Sequence, residues 1–214
     1  MNKPQLKMLF EPKLKEPILI EGLPGFGEVG KLAAGLLIEF MGAKSFAELY
    51  SPYFPDTVFI GADGLCRLPR YEFYASQARD PNFIALIGDA QPAPDDINAH
   101  YELCNVILDF AEKYNCKHII TLGGYPTPKP ETGRIYVAAT SERIVTKLAE
   151  LGASVYKGGR IIGAAGLVLG LAKNRGLEGF CILGATSGVL PDRPAAMAVF
   201  RFLTKIIEAK LFKI

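Results

Sequence analysis

The chain has 214 residues, half of them apolar and 21% charged, with a formal net charge of +2. That balance supports one well-cored domain, excludes a disordered chain, and provides no strong electrostatic pull toward nucleic acid. The longest nearly uncharged apolar stretch, Ile161 to Ala172, falls short of the roughly 20 residues a membrane-spanning helix needs.

Residues 1–16 carry Lys3, Lys7, Lys13 and Lys15 without an arginine or aromatic cluster, and they lack the apolar centre of a signal peptide. They read as a solvated N-terminal arm ahead of a single α/β domain over 17–214. Cys66, Cys104, Cys116 and Cys181 lie far apart with no Cys-x-x-Cys spacing, which suits reduced thiols in a cytoplasmic protein and gives no zinc site. From there, apolar runs of strand length alternate with helical patterns. Pro17–Glu21 reads as a strand, Gly27–Met41 as a helix and Lys44–Tyr50 as a strand; segments 57–61 and 70–75 read as an antiparallel addition or edge hairpin. Phe83–Gly88 is the next strand, followed by a helix over Asp96–Tyr114 that Asp95 or Asp96 caps. Lys117–Leu122 and Ile135–Ala139 are strands, Ser141–Leu151 and Gly163–Asn174 helices, Gly179–Gly184 a strand, and Pro194–Phe212 the last helix. Strand-helix alternation with continuously apolar strands predicts a three-layer α/β/α fold around a mostly parallel sheet.

Several strands end in loops rich in glycine and proline: Gly22–Gly27, Gly88–Pro92, Gly123–Gly133 and Gly184–Asp192. In an open parallel sheet the crevice beyond the carboxyl ends of the strands is the default ligand position. The first loop invites a sharper reading. Gly25, Gly27 and Gly30 form G-x-G-x-x-G, and Gly25, Gly30 and Lys31 fit the start of a phosphate loop. Leu32 stands where a magnesium-binding hydroxyl should follow the lysine, and Gly22-Leu23-Pro24 lengthens a turn that a dinucleotide site keeps tight. Asp89 could supply an acidic element and Glu48 a ribose carboxylate. The competing reading is that small residues let the helix pack closely on the strand. His100, His118 and Ser187 bring no partners for metal or nucleophilic chemistry. No set of residues divides acid, base and nucleophile roles, so the expectation is a protein without catalysis, cofactor or metal.

Helix 96–114 confines Asn98, Glu102, Asn105, Asp109, Glu112 and Lys113 to one arc, leaving well over half its circumference apolar. Either the monomer or another subunit buries the surplus. Leu103, Val106, Ile107 and Phe110 are accordingly candidate interface residues, as is Phe212, which falls on the charged side of the last helix.

Gly22–Gly30 (GLPGFGEVG), Gly88–Pro92 (GDAQP), Leu122–Gly124 (LGG) and Gly184–Ala196 (GATSGVLPDRPAA), taken in order, resemble the proteasome assembly chaperone family, especially its archaeal branch. The resemblance implies a three-layer α/β fold, homo-oligomerisation or pairing with a related family subunit, and engagement of the proteasome core particle, without nucleic-acid or membrane partners. Relatives have been catalogued as ATP-grasp-like, but this chain shows no ATP-grasp metal-carboxylate set. The alternative reading, carried by the glycine loop at Gly25–Lys31, is a nucleotide- or phosphate-ligand-binding enzyme, ATP-grasp-like or dinucleotide-binding. Family members that dock through their tails end in a hydrophobic residue, tyrosine and any residue. Phe212-Lys213-Ile214 has lysine at the tyrosine position, so tail docking of that kind is not expected.

Overall fold

The computed structural model describes residues 1–76 and 82–209. The strand and helix elements run β1 (Gln5–Met8), β2 (Ile18–Gly22), α1 (Val29–Met41), β3 (Lys44–Tyr50), β4 (Phe59–Ile60), β5 (Cys66–Arg67), β6 (Tyr71–Ser76), β7 (Phe83–Gly88), α2 (Ile97–Lys113), β8 (His118–Pro126), β9 (Ile135–Ala139), α3 (Glu142–Glu150), β10 (Ser154–Val155), α4 (Ala164–Asn174), β11 (Glu178–Thr186) and α5 (Arg193–Glu208). Nine strands form one sheet in the order β1-β3-β6-β7-β2-β8-β11-β9-β10, and β4 pairs with β5 in a separate hairpin.

The middle of the sheet, β7-β2-β8-β11, is parallel throughout. These are the strands with the longest apolar runs, as burial on both faces demands. Period-two alternation divides each strand between the two faces. Ile18, Ile20, Phe83, Ala85, Ile120 and Ile182 meet α1, α3 and α5. Leu19, Ile84, Leu86 and Ile119 turn the other way, toward α2 and α4. The result is the expected three-layer α/β/α arrangement. Its flanks bring in antiparallel pairs: β6 pairs with both β7 and β3, β3 with β1, and β9 with β11, while β10 closes that edge parallel to β9.

The helices stop and start where the sequence places caps. Asp96 accepts a hydrogen bond from the Ala99 amide at 3.0 Å, and Asp192 one from Ala195 at 3.0 Å. Gly42 closes α1 at φ 59°, a left-handed conformation suited to glycine, while Ala43 N–H bonds back to Ile38 at 3.0 Å.

Two expectations are corrected and a third is decided between its alternatives. Residues 1–16 are not a free arm: β1 extends the sheet against β3, Leu9 N–H donates to Phe46 O at 2.7 Å, and Lys7 pairs with Glu48 at 3.2 Å. Segment 70–75 takes the first of its two expected forms: β6 is an antiparallel addition to the parallel sheet, and it is not an edge hairpin because β3 covers its outer side. Leu103, Ile107 and Phe110 are buried inside the chain, against Phe46, Phe73 and α4, and so do not form an outer surface; Val106 is partly buried at the margin of the same core. Most of the wide apolar arc of α2 is consumed by the sheet on one side and α4 on the other, while Ile97 and Tyr101 in its first turns stay exposed. Its polar arc is bridged by Arg175, which reaches Asn105 at 2.7 Å, Asp109 at 2.7 Å and Glu112 at 3.3 Å. Phe212 and the Phe212-Lys213-Ile214 tail lie outside the described residues.

Candidate functional site

At the carboxyl ends of β2, β8 and β11 lies a cleft of about 910 Å³. Its walls come from the loops after β2 and β7, the end of β8, the start of α2, residues between Tyr156 and Gly163, and the first turn of α4. Parallel strands open a crevice here because their connections leave in different directions.

The chain ties these loops to one another. Gln91, after β7, donates from Nε2 to Pro24 O and accepts at Oε1 from the Ala164 amide at 3.1 Å, joining three separate walls through one side chain. Thr186 closes the far side: its hydroxyl donates to Asp192 at 2.8 Å and accepts from Gly188 N–H at 3.1 Å. Asp192 N–H in turn donates to Gly27 O at 2.8 Å, and Gly27 N–H to Gly188 O at 3.3 Å. The cleft is therefore held open by hydrogen bonds already made within the chain.

Those bonds decide what the glycine loop can do. A phosphate loop keeps its backbone N–H groups free for the anion. Here Gly27 N–H is engaged by Gly188, and Glu28 N–H by Gly25 O at 2.9 Å. Gly30 lies against β8, where a Cβ would enter the Leu122 carbonyl oxygen; Gly22 is likewise closed off by the Gly30 carbonyl. Of the ligand candidates Gly25, Gly27, Gly30, Lys31 and Asp89, the cleft wall includes Gly25 alone. Lys31 lies close enough to Asp89 to stabilise its charge. Asp89 itself takes a two-point ion pair from Arg67 at 2.5 and 2.9 Å and the Arg70 amide at 3.0 Å. Burial alone would raise its pKa, but these donors and nearby Lys31 hold it below the ordinary value. Its geometry fastens the β4–β5 hairpin to the end of β7.

Glu48 is also drawn away from the cleft, into a cluster with Lys7 at 3.2 Å, Arg70 at 2.9 Å and the Tyr50 hydroxyl at 3.0 Å. His100 does line the cleft, with Nε2 3.2 Å from Ala93 O. Among the described residues no cluster of His, Cys, Asp and Glu could hold a metal ion, and no helix is long and apolar enough to cross a membrane.

The residue that reasoning from the sequence passes over is Glu21. It ends β2 and lines the cleft, yet it is 1% exposed. Oε1 accepts from Leu23 N–H at 2.8 Å, while Oε2 has no hydrogen-bond partner among the described residues. Burial pushes its pKa up from 4.5 to about 8 against the lowering effect of the Leu23 amide, so the carboxyl is protonated at neutral pH. The signal available in the sequence is an acidic residue closing the apolar run PILIE immediately before a glycine, in a strand that both layers cover.

Comparison with known proteins follows the same frame. The sequence model of the PAC2 family matches residues 19–212. An uncharacterised protein of Methanocaldococcus jannaschii is 39% identical over 196 residues, which is 90% of this chain and 74% of that protein. Among solved structures, Pyrococcus furiosus PbaB, described as an archaeal proteasome activator, is 38% identical with a TM-score of 0.91, over 97% of this chain and 90% of that one. PbaA of the same organism, described as an archaeal homolog of proteasome-assembly chaperone, is 28% identical with a TM-score of 0.80, over 97% and 82%.

Proposed function

The chain belongs to the PAC2 family, and from that premise we propose that it is a non-catalytic proteasome-assembly chaperone or activator. It works in the cytoplasm as a homo-oligomer, or with a related subunit, by engaging the proteasome core particle. The observation that carries this reading is an apolar surface at the carboxyl end of the sheet. Val58, Ile60, Leu65 and Leu68 cluster in and around the β4–β5 hairpin, each more than half exposed, and Val189 and Leu190 stand out from the loop before α5. Such a surface on a chain with a complete core of its own is the mark of a protein-binding face. The similarity to PbaB and PbaA supports a proteasomal client. A nucleotide- or phosphate-ligand enzyme finds less support, since the loop amides that would cradle phosphate are already bonded within the chain.

The test is retention of purified proteasome core particles, and of their separated subunits, on the immobilised chain, alongside peptide hydrolysis by the core particle with and without it. Retention or stimulation is expected, together with no thermal shift on adding ATP or NAD. Absence of both retention and stimulation, with a saturable shift by either nucleotide, would overturn the reading in favour of an enzyme.

A further inference from the structure

Glu21 is a buried acid with no ion-pair partner among the described residues. Leu23 N–H is its one hydrogen-bond donor among the described residues. The titratable groups that sense its charge are Tyr71 from β6, Cys104 from α2 and Cys181 from β11. None brings a positive charge: burial pushes both thiols up to about 12 and the phenol well above its ordinary value. The further titratable groups on the cleft wall are His100, Tyr101, Tyr125, Tyr156 and Arg160, and no ion pair joins His100 or Arg160 to Glu21 among the described residues. A carboxyl oxygen left unbonded in a buried site is costly, and natural structures rarely leave one so.

We propose that the cleft binds a small organic cation, a primary amine whose ammonium group pairs with the Glu21 carboxylate and whose apolar body lies along Phe26, Tyr125 and Leu183. The wall chemistry fits that ligand at both ends. Tyr125 belongs to an aromatic group, its ring 4.3 Å from Tyr136 and 5.5 Å from Tyr156, and it offers the ligand's apolar body a ring to pack on. Leu23, Leu122 and Leu183 help make the wall mostly apolar, so a bare inorganic cation would find few oxygens to replace its hydration, whereas an amine with an apolar body needs fewer. At Glu21 an anionic ligand would meet a group that can only be neutral or negative, and the one cationic side chain on the described wall, Arg160, is exposed rather than buried beside it. Binding ionises Glu21, because the ammonium supplies the countercharge its site lacks; the carboxyl proton passes to solvent and the ligand keeps all of its own.

Isothermal titration of the full chain with 2-phenylethylamine, 2-phenylethanol and 3-phenylpropionate tests this directly. The amine should bind saturably, release close to one proton at pH 7 when two buffers of different ionisation heat are compared, and tighten nearly tenfold per pH unit from 6 toward 8, with little gain beyond. The alcohol should bind at least tenfold more weakly at pH 8, and the acid should not bind. Glu21→Gln should remove the proton release and weaken the amine tenfold or more. The proton count on the unaltered chain stands without any variant. Alcohol binding equal to the amine, pH-independent amine binding, or no saturation by tens of millimolar amine would each overturn the proposal.

Discussion

Two glycines five residues apart in α1 separate close packing from mere helix composition. Gly30 is pressed on the Leu122 carbonyl, which is backbone and cannot swing aside, while a Cβ on Gly35 would meet nothing within 4 Å. Gly30→Ala should therefore cost about 3 kcal/mol, at the upper end for overpacking, a fall of roughly 10 °C in a domain this size. Gly35→Ala should instead stabilise by up to about 1 kcal/mol through helix propensity. Thermal unfolding of the two variants side by side checks this, and equal melting temperatures would refute the packing argument. Glu21 offers a second test. Its folded pKa, about 8, lies above its ordinary 4.5, so the folded state binds the extra proton between those values. The stability it contributes is complete below about pH 4.5, declines as pH rises, and is gone by about pH 8. Glu21→Gln keeps the shape without the ionisation, so it should match the parent near pH 4.5 and exceed it by on the order of 4 kcal/mol at pH 8. Denaturant unfolding at several pH values would show this divergence; a constant difference would mean that Glu21 is not held neutral by burial.

At the scale of elements, the β4–β5 hairpin has two residues per strand and few contacts of its own, so its anchorage comes from Asp89 gripping Arg67 and the Arg70 amide. Removing that carboxylate in Asp89→Ala should accelerate hydrogen exchange at Gly61, whose N–H bonds to Leu65 O at 2.9 Å, by tenfold or more while core amides of β2 and β8 stay protected. Unchanged exchange at Gly61 would show that the hairpin stands without the ion pair. The same contrast explains what can be read from the sequence. Strands β2, β7, β8 and β11 are legible because burial on both faces forces continuous apolar runs. Strand β1 is not, since Gln5–Met8 is exposed for most of its length and its pairing depends on backbone bonds to β3. The position of the cleft follows from strand order alone, but Glu21 does not. A charged residue at a strand end ordinarily marks the exit to solvent, and only the convergence of β6, α2 and β11 around it makes this one interior.

For the whole molecule, the question is which surface meets a second chain. Most of the apolar arc of α2 is spent within the monomer, so the exposed residues around the hairpin are the first candidates for an interface, ahead of Val189 and Leu190. Val58, Ile60, Leu65 and Leu68 are free of the core, and a charge placed among them costs little unless they are covered by a partner. A double change of Ile60→Asp and Leu65→Asp should leave the melting of the isolated fold within about 0.5 kcal/mol of the parent per site. In an oligomer, the same charges would be buried without partners, at a cost that dissociates it. Light scattering should give a mass of more than one chain for the parent and a single chain for the double variant, with proteasome capture falling in parallel. A parent that is monomeric at every concentration would refute self-association, whereas an oligomer untouched by both aspartates would move the interface to the face bearing Val189 and Leu190.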